Sequence, residues 1–119
     1  MYTVEKNNDT RGTNQSSNEN LKIGLSTNPE NPIAGQPTQL NVSFIDNQTN
    51  SIEEHVDYKV TIMKGETQVF TTPLLHAADG SIIVPYQFQD SGSYNVMVEV
   101  DGIWFMPISD TAQFTVNVG

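Results

Sequence analysis

The sequence predicts an all-β protein, a seven-stranded antiparallel sandwich, and three observations carry that prediction. Short runs rich in Val, Ile, Thr, Phe and Tyr recur from residue 21 to residue 119, with apolar side chains at every second position. Gly, Pro, Asn and Asp separate these runs at roughly the 8–12-residue spacing of all-β domains. No window of helical length repeats its apolar residues at a period of about 3.6. Seven strands with this alternation fit two packed antiparallel sheets.

Residues 1–20 contain only Met1, Tyr2 and Val4 as apolar side chains. They bury too little surface to offset the entropy of ordering, so they are expected to form a disordered polar tail or linker, and the sandwich to span 21–119. The first strand is 21–26, where Leu21, Ile23 and Leu25 alternate with polar or small residues. The second, 37–45, sets Leu40, Val42 and Phe44 on one face and Gln39, Asn41 and Ser43 on the other. In the third, 57–64, Tyr58, Val60 and Ile62 oppose Asp57, Lys59 and Thr61. Gly65-Glu66 then turns into a fourth strand, 67–74, whose apolar signal rests on Val69 and Phe70. The fifth, 81–88, carries Ile82, Val84, Tyr86 and Phe88 at period two. Pro85 lacks a backbone donor, which makes this an edge strand or a bulged one. Tyr94, Val96, Val98 and Val100 define the sixth strand, 93–100, and Ala112, Phe114, Val116 and Val118 the seventh, 111–118.

Composition excludes several functions. Five Lys+Arg against 14 Asp+Glu leave a formal charge of −9, nearly all of it in 21–119. Nucleic acid, held chiefly by phosphate neutralisation, is therefore excluded as a partner, and anionic lipid is disfavoured. No apolar run approaches the ~20 residues of a spanning helix, so direct membrane insertion is not expected. The absence of Cys removes disulfides, thiolate nucleophiles and Cys-ligated metals. No basic segment followed by an apolar one precedes the polar tail, so any targeting segment is expected upstream of this chain.

Asp90-Ser91-Gly92-Ser93-Tyr94, running into alternating valines, resembles the D-x-G-x-Y signature of immunoglobulin-like sandwiches. In that motif Gly92 serves a tight turn, and the Tyr94 hydroxyl bonds back to the chain a few residues upstream, a tyrosine corner. The approach Asn31-Pro32-Ile33-Ala34-Gly35-Gln36-Pro37 is similar to that of the PKD-type and fibronectin-type domains of secreted bacterial and archaeal proteins. The chain departs from true immunoglobulin domains in having no Cys pair and no Trp in the third strand, where Tyr58 or Ile62 must fill the space. The resemblance implies an extracellular or cell-envelope module with structural, adhesive or protein-interaction roles, and no enzymatic activity.

Alternate loops of such a sandwich gather at opposite ends. The segments 46–56, 75–80 and 101–110 share one end and bring His55, His76, Asp46, Glu53, Glu54, Asp79, Asp101, Trp104, Phe105 and Met106 there. Binding surfaces concentrate at loop ends, so this end is the expected site. Trp104, Phe105 and Met106 belong to the most apolar run of the chain, 103–108, which does not alternate. Exposed, it would anchor a protein or a carbohydrate at the cell surface. The competing expectation is that Asp101-Gly102 forms a hairpin turn and the run packs back over the open core.

His55 and His76 with Asp79 form the candidate metal site, since neutral imidazole suits copper, zinc or nickel. Calcium is the alternative cofactor, with Asp46, Asn47, Asp79, Asp101 and Asp110 as hard oxygen ligands, although no Asp-x-Asp-x-Asp-Gly loop occurs. The bland reading of both sets is ordinary surface loop residues with no cofactor. Met63 and Met97 fall within strands as gap-fillers. Sequons begin at Asn8, Asn14, Asn41 and Asn47. No Gly-x-Ser-x-Gly, phosphate-cradling glycine loop or other catalytic motif is present, so no catalytic residue is named. Self-assembly through the tail or an edge strand, in the manner of strand addition, is a further expectation.

Overall fold

A computed structural model of the protein describes residues 2–5 by their backbone, and 21–46, 49–104, 106, 107 and 109–119 in full. Among the described residues there are ten strands and no helix: β1 (Tyr2–Glu5), β2 (Leu21–Asn28), β3 (Pro37–Asp46), β4 (Ser51–Ile52), β5 (Val56–Lys64), β6 (Thr67–Thr71), β7 (Leu75–Ala77), β8 (Ser81–Gln87), β9 (Gly92–Ile103) and β10 (Asp110–Val118). They form two five-stranded antiparallel sheets. In the first, β2 lies between β1 and β3, and the far edge of β3 is shared by β8 along Pro37–Ser43 and β4 along Ile45–Asp46. In the second, β9 lies between β10 and β5, and the far edge of β5 is shared by β7 at Val56–Tyr58 and β6 at Thr61–Lys64.

The alternation read from the sequence sets the inward faces. Ile23, Leu25, Leu40, Val42, Phe44 and Phe88 of one layer and Val60, Ile62, Val96, Val98, Phe114 and Val116 of the other are fully buried. Removing each such side chain from water contributes about 1.5–3 kcal/mol, and this layer of side chains holds the sheets together. Tyr58 and Ile62 occupy the middle of β5, where the Tyr58 ring packs 5.7 Å from that of Phe44. Pro85 sits opposite Gln39 on β8, whose only strand partner among the described residues is β3, as expected of an edge.

At one end of β9 the expected tyrosine corner is formed. The Tyr94 hydroxyl donates to the Asp90 carbonyl at 2.7 Å. Gly92 stands at φ 131, a backbone conformation that L side chains rarely adopt. Lys64 closes the corner by donating to the Ser91 carbonyl at 3.1 Å with its ammonium 5.4 Å from the Tyr94 ring centre. Beneath it Phe70, Tyr86, Phe88 and Tyr94 form a continuous aromatic file with neighbouring centroids 4.7–4.9 Å apart.

The architecture departs from the seven-strand expectation in four places. Tyr2–Glu5, expected within the polar tail, pairs with Gly24–Thr27 of β2; residues 6–20 lie outside the described residues. The strand expected over 67–74 stops at Thr71, because Pro73 has no backbone donor. Thr72 bridges the gap, accepting from the Val60 amide at 3.0 Å through its hydroxyl and donating its own amide to the Val60 carbonyl at 2.9 Å. The chain then resumes as β7. Ser51–Ile52 of the expected loop 46–56 adds a short strand to β3. Finally, Asp101 and Gly102 do not form a turn: β9 continues through them to Ile103, accommodated by a bulge opposite Asp57/Tyr58.

Candidate functional site

β9 spans the sandwich from the tyrosine corner to Ile103, and at that far end three segments converge on the outer face of the second sheet. His76 in β7 stands directly opposite Asp57 of β5, and Asp57 stands opposite Gly102 of β9 on its other side. Directly opposed side chains on one face of an antiparallel pair lie within contact distance. Accordingly Nδ1 of His76 is 2.7 Å from Oδ1 of Asp57. Gly102 keeps the space open, since a Cβ there would lie 2.9 Å from Oδ2 of Asp57.

His55 precedes β5 and is held at φ 55. That left-handed conformation is costly for a residue with a Cβ. It turns the imidazole towards His76, placing Nδ1 of His55 3.1 Å from Nε2 of His76. The backbone of His55 is fastened on both sides, its amide donating to the Ala78 carbonyl at 3.3 Å and its carbonyl accepting from the Trp104 amide at 2.8 Å. Trp104 is likewise left-handed, at φ 53. It lies in a tight turn in which Ile103 and Met106 exchange two backbone hydrogen bonds of 3.0–3.1 Å. The Trp104 ring centre is 4.2 Å from that of His55, and the His55 centre is 5.3 Å from that of His76. Strained backbone at several neighbouring residues is a mark of functional sites.

The chemistry of the file follows from its proton inventory. An ionised carboxylate only accepts, so His76 donates its Nδ1–H to Asp57 and holds a lone pair at Nε2. That lone pair faces Nδ1 of His55, which donates to it in the Nδ1–H tautomer. The result is a directed chain from His55 through His76 to Asp57, open to solvent: the His76 and Asp57 side chains are 37% and 27% exposed, and Trp104 and Met106 are 51% and 60% exposed.

Sequence reasoning brings His55, His76, Trp104 and Met106 to one end, and the structure places them there. Among the described residues of the run 103–108, the expectation that it packs back over the core holds only for Ile103, which is buried; Trp104 and Met106 point to solvent, and Phe105 and Ile108 lie outside the described residues. Asp79 is exposed in the turn after β7, and the carboxylate on the histidines is Asp57 instead. Asp57 was missed because it reads as an ordinary outward residue of an alternating strand. Only its register opposite His76 singles it out, and that register rests on β7, a three-residue strand too short to show alternation in the sequence. The other proposed residues, Asp90, Gly92 and Tyr94, belong to the corner at the opposite end.

The carboxylates considered for calcium do not gather. Among the described residues no three His, Asp or Glu side chains form a cluster suited to a metal ion, and Asp110 is buried with its Oδ1 accepting from the Thr111 amide at 2.8 Å. Asn47 lies outside the described residues. Nearby, burial pushes the Glu53 carboxyl above its ordinary range, helped by the negative charges of Asp46 and Glu54. A separate shallow groove of about 720 Å³ crosses the outer face of the first sheet, lined by Gly24, Ser26, Asn41, Ser43, Ser81 and Ile83. Among the described residues, Lys22 is the one titratable group on its lining. Among the described residues no helix is long and apolar enough to cross a membrane.

Comparison with known proteins places the fold but not the family. No family model and no curated protein sequence matches the chain. Among solved structures, the chain is similar to the PmoD soluble domain from Methylocystis sp. ATCC 49242 (Rockwell), with a TM-score of 0.61 and 16% identity over 82% of this chain and 91% of that one. At that identity the likeness is one of fold alone.

Proposed function

We propose that the protein is a non-catalytic immunoglobulin-like module of the cell envelope or cell exterior, and that it works by presenting its histidine–tryptophan end to a partner. The observation that carries this reading is the pair of large apolar side chains, Trp104 and Met106, standing 51% and 60% exposed on one rigid turn. Soluble domains seldom leave such residues together without use, and Trp is among the residues that dominate binding energy at interfaces. The two backbone bonds across the turn and the His55–Trp104 contact hold the indole in place before binding, so little ordering entropy is lost on docking. A net charge of −9 selects against anionic partners and favours a neutral glycan or a protein with a basic or neutral face. The tyrosine corner and the two-sheet architecture support the immunoglobulin-like assignment. Similarity to a structure described as a soluble domain supports the reading as a module.

The test is co-sedimentation of the chain with isolated envelopes of its source organism. Saturable binding is expected, weakened about 30-fold or more by Trp104→Ala, the size of an interface hot spot. Absence of binding, or equal binding by Trp104→Ala, would overturn the reading.

A further inference from the structure

We infer that His55 and His76 form a binding site for a late first-row divalent transition ion, with Nδ1 of His55 and Nε2 of His76 as its ligands and Asp57 as the group that orients them. The separation of the two nitrogens carries the inference. Two imidazole nitrogens each about 2.0–2.1 Å from one ion, at an angle of about 90–110°, are roughly 2.9–3.4 Å apart. In this protein they are 3.1 Å apart. Bringing both lone pairs to one ion turns each ring by roughly 40° from the line that joins the two nitrogens in their hydrogen bond.

The outer contacts are those of a metal site as well. Metal-ligating histidines typically donate their second ring N–H to a carboxylate, which settles the tautomer and raises ligand basicity. His76 has this arrangement with Asp57 at 2.7 Å. The proton balance is simple: the ion takes the place of the proton between the rings, and His55 changes tautomer, its single ring proton passing from Nδ1 to Nε2 by exchange with water, so that both ligands are neutral imidazoles. Two nitrogen ligands on a solvent-exposed surface leave coordination positions for water. Such an incomplete set follows the general affinity order in which Cu(II) exceeds Zn(II), Ni(II) and Co(II). His55 and Trp104, each held left-handed, fix the approach of the first ligand before the ion arrives. This site needs no partner molecule, so it stands or falls separately from the envelope-binding reading.

Trp104 is the only tryptophan of the chain, and its ring centre is 4.2 Å from that of His55, so it reports directly on the site. The experiment is titration of the full chain with copper(II) chloride at neutral pH, followed by Trp104 emission and by electron paramagnetic resonance. Saturable quenching is expected with one ion per chain and with hyperfine splitting from two equivalent nitrogens. His76→Ala should lower the affinity at least tenfold, and Asp57→Asn should lower it about 10–100-fold. Asp79→Ala should leave it unchanged. Where His55→Ala disturbs folding, His55→Gly tolerates the left-handed backbone and removes the same ligand. Quenching that fails to saturate, a spectrum without nitrogen splitting, or affinity unchanged from the parent in His76→Ala and His55→Gly would overturn the site. Envelope binding that persists under chelator would leave the partner reading intact whichever result is obtained.

Discussion

At the end of the sandwich that holds Tyr94, the polar contacts run from side chain to backbone, from Tyr94 to the Asp90 carbonyl and from Lys64 to the Ser91 carbonyl. At the opposite end they run from side chain to side chain, His55 to His76 to Asp57. The same strand, β9, begins at the first end and finishes at the second. A side chain that bonds backbone ties one element to another, and its loss loosens the fold. Side chains that bond one another on an exposed surface exchange readily with water or a ligand, and their loss is felt mainly in what the surface binds. The two ends of one strand thus differ in kind: the corner ties side chain to backbone, and the histidine end joins side chains to one another on an exposed face.

Mutation can break that contrast. The largest effect is expected from Phe88→Ala, which empties a fully buried position between Tyr86 and Tyr94; unfolding in denaturant should show a loss of about 3–5 kcal/mol. Tyr94→Phe keeps the ring and deletes the corner bond, with an expected loss of about 1 kcal/mol in the same measurement. His76→Ala removes an exposed hydrogen bond to Asp57 and should change stability by about 1 kcal/mol or less. His55→Gly should stay within a similar margin of the parent, since relief of the left-handed backbone offsets the lost ring contacts. If His76→Ala proved as damaging as Phe88→Ala, the division between the two ends would fail.

A smaller effect sharpens the comparison through pH. Burial, with Asp46 and Glu54 nearby, raises the Glu53 carboxyl above its ordinary range in the folded protein. The folded state therefore binds this proton more tightly than the unfolded one, and stability contributed by the protonated form is lost as pH rises through the raised value. Glu53→Gln should raise the melting temperature slightly at neutral pH, flatten its dependence across the weakly acidic range, and leave it unchanged in strong acid. A melting temperature lowered at neutral pH by Glu53→Gln would show that the carboxylate is held by a favourable contact instead.

Much of the fold was legible because period-two patterning reports burial directly. Leu21, Ile23 and Leu25, Leu40, Val42 and Phe44, and Tyr94, Val96, Val98 and Val100 face inward as their alternation requires, and the D-x-G-x-Y spacing marks the corner. The candidate site was half legible. Loop topology alone gathered His55, His76 and Trp104, but the sequence offered Asp79 where the fold supplies Asp57, and it favoured a turn at Asp101-Gly102 where the strand continues. In each case a local signal was outweighed by pairing with a distant strand.

The sequence by itself determined which side chains form the core, where the chain must turn sharply at Gly92, and that a chain without Cys carries no thiol chemistry. Those properties depend on residue type and on neighbours a few positions away. Only the tertiary structure decided that Asp57 meets His76, that His55 and Trp104 adopt left-handed backbones and touch, and that Trp104 faces water while Ile103 is buried. These contacts depend on register between strands remote in sequence, set by the bulge at Asp57/Tyr58 and the interruption at Thr72-Pro73. A one-residue change in that register would carry each of these side chains to the opposite face of the sheet.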